Sequence, residues 1–362
     1  MRFPALKTRF WAVCAALLLM AIASRAAAQA IYYPGATWER VASPEAEGWS
    51  PEGLEAAQAF ADSIGSAAVM IVHDGRIVDE WGAVERKFRC HSIRKSFLSA
   101  LYGIAVQRGA IDMAATMGTL GINDNPPRLT DTEKTATVRM LLKARSGVYH
   151  DALFETDAME AARPARGSHA PGTFWYYNNW DFNVLGTIFE QATGTKIHQA
   201  FKDEIADPIG MTAYAVSDGR YVNGDDSIHP AYPFQMTARD MARFGLLFAR
   251  NGVWDGAQIV PAFWVKESTV SYSDAGDAGG YGYLWWVAVD GQHFDGVGPV
   301  PFGTFTARGA GGHVLAVVPD LDLVVVHRVN TFEDNDIPYA HAGRLLMKIL
   351  AAKDDWSGTP NF

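Results

Sequence analysis

The chain has 362 residues, of which 49% are hydrophobic, 12% aromatic and 20% charged, and its formal net charge is −9. That is the composition of a globular protein with one large core or two closely packed domains, and it excludes a disordered or low-complexity chain. The acidic balance, with no basic stripe, argues against nucleic acid as a partner, and two cysteines are too few for a disulfide scaffold.

Residues 1–30 read as an export signal. Arg2, Lys7 and Arg9 give a basic start, an apolar run follows from Phe10 to Ala23, and Ala26-Ala27-Ala28 or Ala28-Gln29-Ala30 offers a small-residue cleavage site. The expected location is periplasmic or secreted, without stable membrane insertion once the signal is removed, because no later stretch approaches 18 consecutive apolar residues. Cys14 falls within the signal. Cys90 is then the single cysteine of the mature chain, read as a small buried hydrophobe.

The spacing of Leu54, Ala57, Phe60 and Ala61 predicts a helix over 51–63. Two strands follow, at 67–74 and 76–82, around the Asp74-Gly75 turn. Ile93, Phe97, Leu101 and Ile104 recur at helical spacing, and Gly109 stops the pattern, so 92–108 reads as the next helix. From about 112 to 241 strand-like runs disappear. Helical pieces at 137–143, 181–193, 197–206 and 238–250 alternate there with turn clusters such as Asn123-Asp124-Asn125-Pro126-Pro127. Strands return at 280–287, 303–308, 313–318 and 321–329, and a helix over 340–352 closes the chain. The expected architecture is an antiparallel sheet flanked by helices, from 31–110 and 251–362, with an inserted all-helical domain at 111–250. The junction would hold a cleft, where sites tend to lie.

Ser92 and Lys95 lie three apart on the predicted helix, close enough to touch. A serine hydroxyl is a weak nucleophile until a base takes its proton, and lysine is that base only where burial or nearby positive charge lowers its pKa. A serine in the first helical turn also keeps a backbone N–H free for an oxyanion. Farther on, Pro171-Gly172-Thr173 leads through Trp175-Tyr176-Tyr177-Asn178-Asn179 into a helix. A tyrosine at the cleft edge, beside a lysine ammonium, is expected to have a lowered pKa and to relay protons. The asparagines suit a helix cap.

Ser92-Ile93-Arg94-Lys95, the Leu141-Leu142…Ser146-Gly147 turn, Pro171-Gly172-Thr173…Tyr177-Asn178-Asn179…Leu185-Gly186 and the late Pro319-Asp320 hairpin occur in the order and spacing of one superfamily. The chain resembles the serine β-lactamases and penicillin-binding proteins, most closely the class C-like branch with its esterases and nylon-oligomer hydrolases. The resemblance runs from about residue 45 to 350. It implies the β-lactamase/transpeptidase-like fold of mixed α/β (α+β) class, Ser92 as the acylated nucleophile, Lys95 as its base partner and Tyr177 as the shared acid/base. Asn179 would orient Lys95 or the substrate carbonyl. Tyr176-Tyr177-Asn178 also spells Tyr-x-Asn, but the spacing to Pro171-Gly172 and Leu185-Gly186 favours Tyr177 with Asn179.

The chain departs from the family at the third motif, where Thr306-Ala307-Arg308-Gly309-Ala310-Gly311-Gly312-His313 lacks a Lys-Thr-Gly or His-Thr-Gly triplet. The Arg308 N–H is expected as second oxyanion donor beside that of Ser92. The Arg308 side chain either faces the cleft, replacing the missing charge, or points away by strand alternation. Gly309 and Trp286 complete the expected substrate contacts. Trp285 and Trp286 are read as one core and one cleft residue, and Gly311-Gly312 as a close backbone approach in a strand. Asp124, Asp225 and Asp226 read as solvated turn residues. His150, His169 and His229 read as surface or capping residues, since no metal-ligand spacing occurs. A small-molecule ester or amide substrate and no cofactor are expected.

Overall fold

The apolar runs of the chain gather into one antiparallel sheet. The computed structural model describes residues 31–354 and 356, so the signal read at 1–30 lies outside the described residues. Helix α1 (Pro51–Ser63) starts where Ser50 accepts from the Gly53 N–H and Pro51 takes the first helical position. Strands β1 (Ala68–His73) and β2 (Arg76–Gly82) form the expected hairpin. Its two turn residues, Asp74 and Gly75, both have positive φ, as a tight primed turn requires. A short strand, β3 (Phe88–Arg89), leads into a 3₁₀ turn at His91–Ile93 and then helix α2 (Arg94–Gln107).

The middle of the chain carries α3 (Val138–Leu142), α4 (Asp157–Ala162), α5 (Asn179–Thr193) and α6 (Ile197–Phe201), the last continuing as a π-helical turn over Lys202–Ala206. One two-residue strand, β4 (Gln235–Met236), interrupts what was read as strand-free and pairs with β3. Helix α7 (Ala238–Ala249) follows, then the small hairpin of β5 (Val253–Trp254) and β6 (Ala257–Gln258), and helix α8 (Ala262–Ser268). Strands β7 (Ser273–Asp274), β8 (Gly280–Tyr281), β9 (Trp286–Val287), β10 (Phe305–Gly309), β11 (His313–Val318) and β12 (Leu323–Arg328) precede the closing helix α9 (Tyr339–Ala351).

Among the described residues the main sheet has eight strands in the order β2-β1-β12-β11-β10-β9-β8-β7. Val69, Ile71, Val314 and Val325 face α1 and α9 and share a core with Leu54, Leu346 and Leu350. On the other face α7 comes close at Gly245, where a β-carbon would stand 2.6 Å from Val324 and 2.8 Å from Leu315. The central strands are apolar at nearly every position because both faces are covered. Helix α7 thus lies on the sheet, although its residues fall within the stretch 111–250.

The run at 280–287 is two strands where one was expected. Leu284 has a φ of 65°, which turns the chain back on itself. Helix α2 reaches this turn, with Ser96 Oγ donating to Leu284 O and Ser99 Oγ to Tyr283 O. Gly311 and Gly312 make the close approach expected of them, but in the turn between β10 and β11. Their φ values are 86° and 90°, and a β-carbon on either would come within 2.3 Å of Thr331 or Ile337.

Two residues read as exposed are buried. The Asp124 carboxylate accepts from Trp180 Nε1 at 2.6 Å, Ser227 Oγ at 2.7 Å and two backbone N–H groups. Those hydrogen bonds hold its carboxyl below the usual range, against the opposing effect of burial. His229 lies between Thr187 Oγ1 and the Asn123 carbonyl. Together they tie the 123–125 turn to α5 and to the 227–229 segment. No helix among the described residues is long and apolar enough to cross a membrane.

Candidate active site

Ser92 sits in the 3₁₀ turn ahead of α2, two positions before the first residue of the α-helix. The turn's entry is fixed from both sides. Cys90 N–H donates to Phe234 O beside the β3–β4 pair, and His91, with a φ of 46°, bends the chain so that Ser92 leads the helix. His91 Nε2 is 2.8 Å from Thr331 Oγ1. On the far side Gly309 of β10 packs so closely that a β-carbon there would be 2.5 Å from Cys90 O.

Lys95 comes from the first turn of α2 and is 1% exposed. Its Nζ lies 2.9 Å from Ser92 Oγ and 2.7 Å from Tyr177 Oη. The rings of Tyr177 and Phe182 also face it, with centroids 4.2 and 4.4 Å away. Tyr176 turns the other way and donates to the Met159 carbonyl. The structure therefore brings together Ser92, Lys95 and Tyr177.

Tyr177 is held by its loop. Tyr176 N–H donates to Ala144 O, Gly172 N–H to Arg145 O, and the Arg145 guanidinium binds the carbonyls of Gly172, Thr173 and Tyr272. Asn178 caps α5, accepting from Trp180 N–H, and donates to Val148 O and Asp181. Asp181 in turn accepts from Ser146 Oγ at 2.5 Å. The small-residue turn at 144–148 and the 171–178 loop are thus one scaffold.

Burial holds the Lys95 amine well below its usual range, the adjacent Arg94 charge pushes the same way, and the Glu155 carboxylate opposes both. A lowered phenol was expected at Tyr177. Desolvation instead pushes it up, outweighing the hydrogen bond from Ser92 and the charge of Arg94. The pair is thus favoured as a neutral amine beside a neutral phenol, since separating charge between buried groups is costly. Of the two groups, the amine is the one shifted toward accepting a proton.

These groups open into a cleft of about 730 Å³ lined by Ser92, Tyr177, Asn179, Trp286, Arg308 and Ala310, among others. Trp285 is fully buried in the core, whereas Trp286 faces the cleft and stacks on Tyr177. Asn179 Nδ2 donates to Phe154 O at 2.5 Å, and Oδ1 is buried with no partner among the described residues. Its amide is thus tied to Phe154, and no hydrogen bond joins it to Lys95. Gly309 does not line the cleft: its role is the contact with Cys90.

Arg308 resolves the two alternatives in an unexpected way. Its side chain reaches the cleft wall, yet its guanidinium is committed: Nε donates to Thr306 Oγ1 at 2.9 Å and Nη2 to the carbonyls of His293 and Ala278. The aromatic rings of Trp286 and Phe294 lie 4.8 and 4.5 Å from it. Burial pushes its pKa down to about 9. This is a structural cation more than a carboxylate clamp. The Ala288 N–H donates to Thr304 O, so alternation directs the peptide groups of Thr306 and Arg308 away from β11. Pairing with β9 stops at Thr306, opposite Trp286, which leaves the Arg308 N–H beyond the last pair.

His91, Arg94, Glu155, Asp336, Tyr339 and Ala310 also line the cleft and were not singled out from the sequence. His91 and Arg94 lie within two residues of Ser92 and could have been noticed for that. Ala310 lies within the third-motif run, while Glu155, Asp336 and Tyr339 come from segments with no motif.

A protein-family model described as Beta-lactamase matches residues 52–346. An uncharacterized protein of Alkalihalophilus pseudofirmus is 24% identical over 297 residues, covering 74% of this chain and 84% of that protein. Among solved structures, a proposed 6-aminohexanoate-dimer hydrolase of Bacillus anthracis superposes with a TM-score of 0.59 at 21% identity, covering 81% of this chain and 80% of that one. A beta-lactamase of Mycobacterium bovis gives 0.57 at 18% identity, with 83% and 99% covered. The octameric penicillin-binding protein homologue of Pyrococcus abyssi gives 0.60 at 16% identity, with 84% and 77% covered. These likenesses establish the shared fold, and with the family model spanning most of the sequence they show that the chain belongs to the beta-lactamase family.

Proposed function

We propose that this protein is an exported serine hydrolase that forms an acyl-enzyme on small-molecule esters or amides. The observation that carries the reading is the contact of one buried amine with both Ser92 Oγ and Tyr177 Oη. Ser92 Oγ attacks the substrate carbonyl while its proton passes to Lys95 Nζ. The oxyanion that forms is received by the Ser92 N–H and by the Arg308 N–H near the end of β10. The C–O or C–N bond then breaks, and Tyr177, resupplied from Lys95, protonates the leaving group. Water adds to the acyl-serine by the same relay in reverse, releasing the acid and restoring Ser92.

Esters and uncharged amides are favoured over penicillins and peptides with a terminal carboxylate. The family's third motif is absent, and the arginine standing there has its guanidinium tied to backbone carbonyls. Asn179 Oδ1 offers a buried acceptor to a substrate N–H or to Lys95 once that amine is protonated. Trp286 supplies an apolar wall.

Intact-protein mass after brief exposure to a fluorophosphonate probe tests the reading. A single adduct, absent from Ser92→Ala, is expected, followed by turnover of nitrophenyl esters or amide dimers in preference to nitrocefin. No Ser92-dependent adduct would overturn the nucleophile assignment, and saturating nitrocefin turnover faster than the esters would overturn the substrate class.

A further inference from the structure

Arg94 stands between the nucleophile's helical turn and its base, and it is an unusual cation. It is 1% exposed. Its Nη2 donates to Asn183 Oδ1 at 3.2 Å, its guanidinium lies 4.1 Å from the centre of the Tyr232 ring, and its Nη1 is buried without a partner among the described residues. No carboxylate is within ion-pair distance of it among those residues. A buried charge without a counter-ion is costly, and such cost persists where the site uses it.

We propose that Arg94 is the electrostatic positioning residue of this active site, a fixed uncompensated cation that keeps Lys95 a free amine and expels the proton once Lys95 has taken it. The inference rests on the acyl-enzyme reading above. An arginine serves where a lysine would not, since its guanidinium stays protonated even when buried. Lys95 has a permanent charge as its covalent neighbour in a site of low dielectric, so a lysinium formed there meets like-charge repulsion. When Ser92 gives up its proton, the repulsion sends that proton on to Tyr177 and the leaving group. The same charge favours the anion developing at the substrate oxygen.

The other groups around Lys95 do not cancel this effect. Ser92, Tyr177 and Phe182 are neutral. Glu155, ahead of α4, is the one carboxylate acting on Lys95 among the described residues, and it is already paired with Arg163. Arg308 on β10 and Asp336, ahead of α9, line the same cleft with charges of opposite sign, and neither acts measurably on Lys95.

The test follows the rate of Ser92 phosphonylation by a fluorophosphonate against pH, which needs no knowledge of the substrate. In wild type the acid limb reports the proton that must leave Lys95 before Ser92 is activated. Arg94→Gln keeps a donor for Asn183 and removes the charge, and its acid limb should move up by about one pH unit or more. Arg94→Met serves if the glutamine variant does not fold, with the same expectation. Asn183→Ala removes the hydrogen bond and leaves the charge, and its limb should stay within about 0.3 unit of wild type. A limb unmoved in both charge-removing variants overturns the proposal, as does an equal shift in Asn183→Ala, which would mark a purely structural role. Absence of labelling in wild type would instead sink the serine-hydrolase reading itself.

Discussion

Trp286 lies flat against Tyr177, 5.3 Å between ring centroids and 28° between planes. The phenol is therefore held against both a lysine amine and an indole, and its hydroxyl has little freedom to leave Lys95 Nζ. Trp286→Ala should lower kcat by about 3- to 10-fold, the scale of one aromatic pair. The loss should largely vanish when measured in a Tyr177→Phe background, because both changes act through one hydroxyl. Additive losses in the double variant would show that Trp286 serves substrate binding alone.

Lys95 burdens the fold it serves. Its native pKa is depressed, so between that value and the unfolded value near 10.4 the unfolded chain binds the extra proton. Stability linked to this group is therefore complete only above the unfolded value and declines as pH falls toward the native one. Lys95→Met should abolish labelling of Ser92 yet raise Tm at pH 7 by about 2–6 °C, with the gain shrinking as pH approaches 10. Thermal melts of the two proteins across pH 6–10 check this. A variant that melts lower at pH 7 would mean that the hydrogen bonds to Ser92 and Tyr177 outweigh the desolvation.

Gly245 shows the opposite case, where a better helix former should harm. Alanine is favoured over glycine inside a helix by about 1 kcal/mol. Here its methyl group would stand 2.6 Å from Val324 and 2.8 Å from Leu315. Gly245→Ala should cost about 1–3 kcal/mol of stability, as overpacking does, seen as a lower urea midpoint with unchanged m-value. Any stabilisation would imply that α7 can lift off the sheet without loss.

What could be read from the sequence divides by range. Helix α1 follows from the spacing of Leu54, Ala57 and Ala61 and from the Ser50-Pro51 start, all of which act within a few residues. The Ser92–Lys95 contact is equally local, set by the pitch of a single helical turn. Asp124 was misread because its own neighbours, Asn123 to Pro127, have turn composition, while the partners that bury it are Trp180 and Ser227, 56 and 103 positions away. The break at Leu284 escaped for the same reason, since the serines that hold it are on α2. The Tyr177 phenol was expected to follow the charge of its neighbour. Its desolvation, invisible in a string of residues, decides the direction instead.

One contact sets a limit on how this site can change. The strand that carries the Arg308 N–H touches the residue pair ahead of Ser92 through Gly309, and the space there is narrower than a methyl group. The gap that the proposed chemistry assigns to a substrate carbonyl is thus gauged by a side chain that is missing. New substrates can be admitted by altering walls such as Trp286 or Asn179, but position 309 stays silent to such selection, fixed by a tolerance that no ligand ever probes.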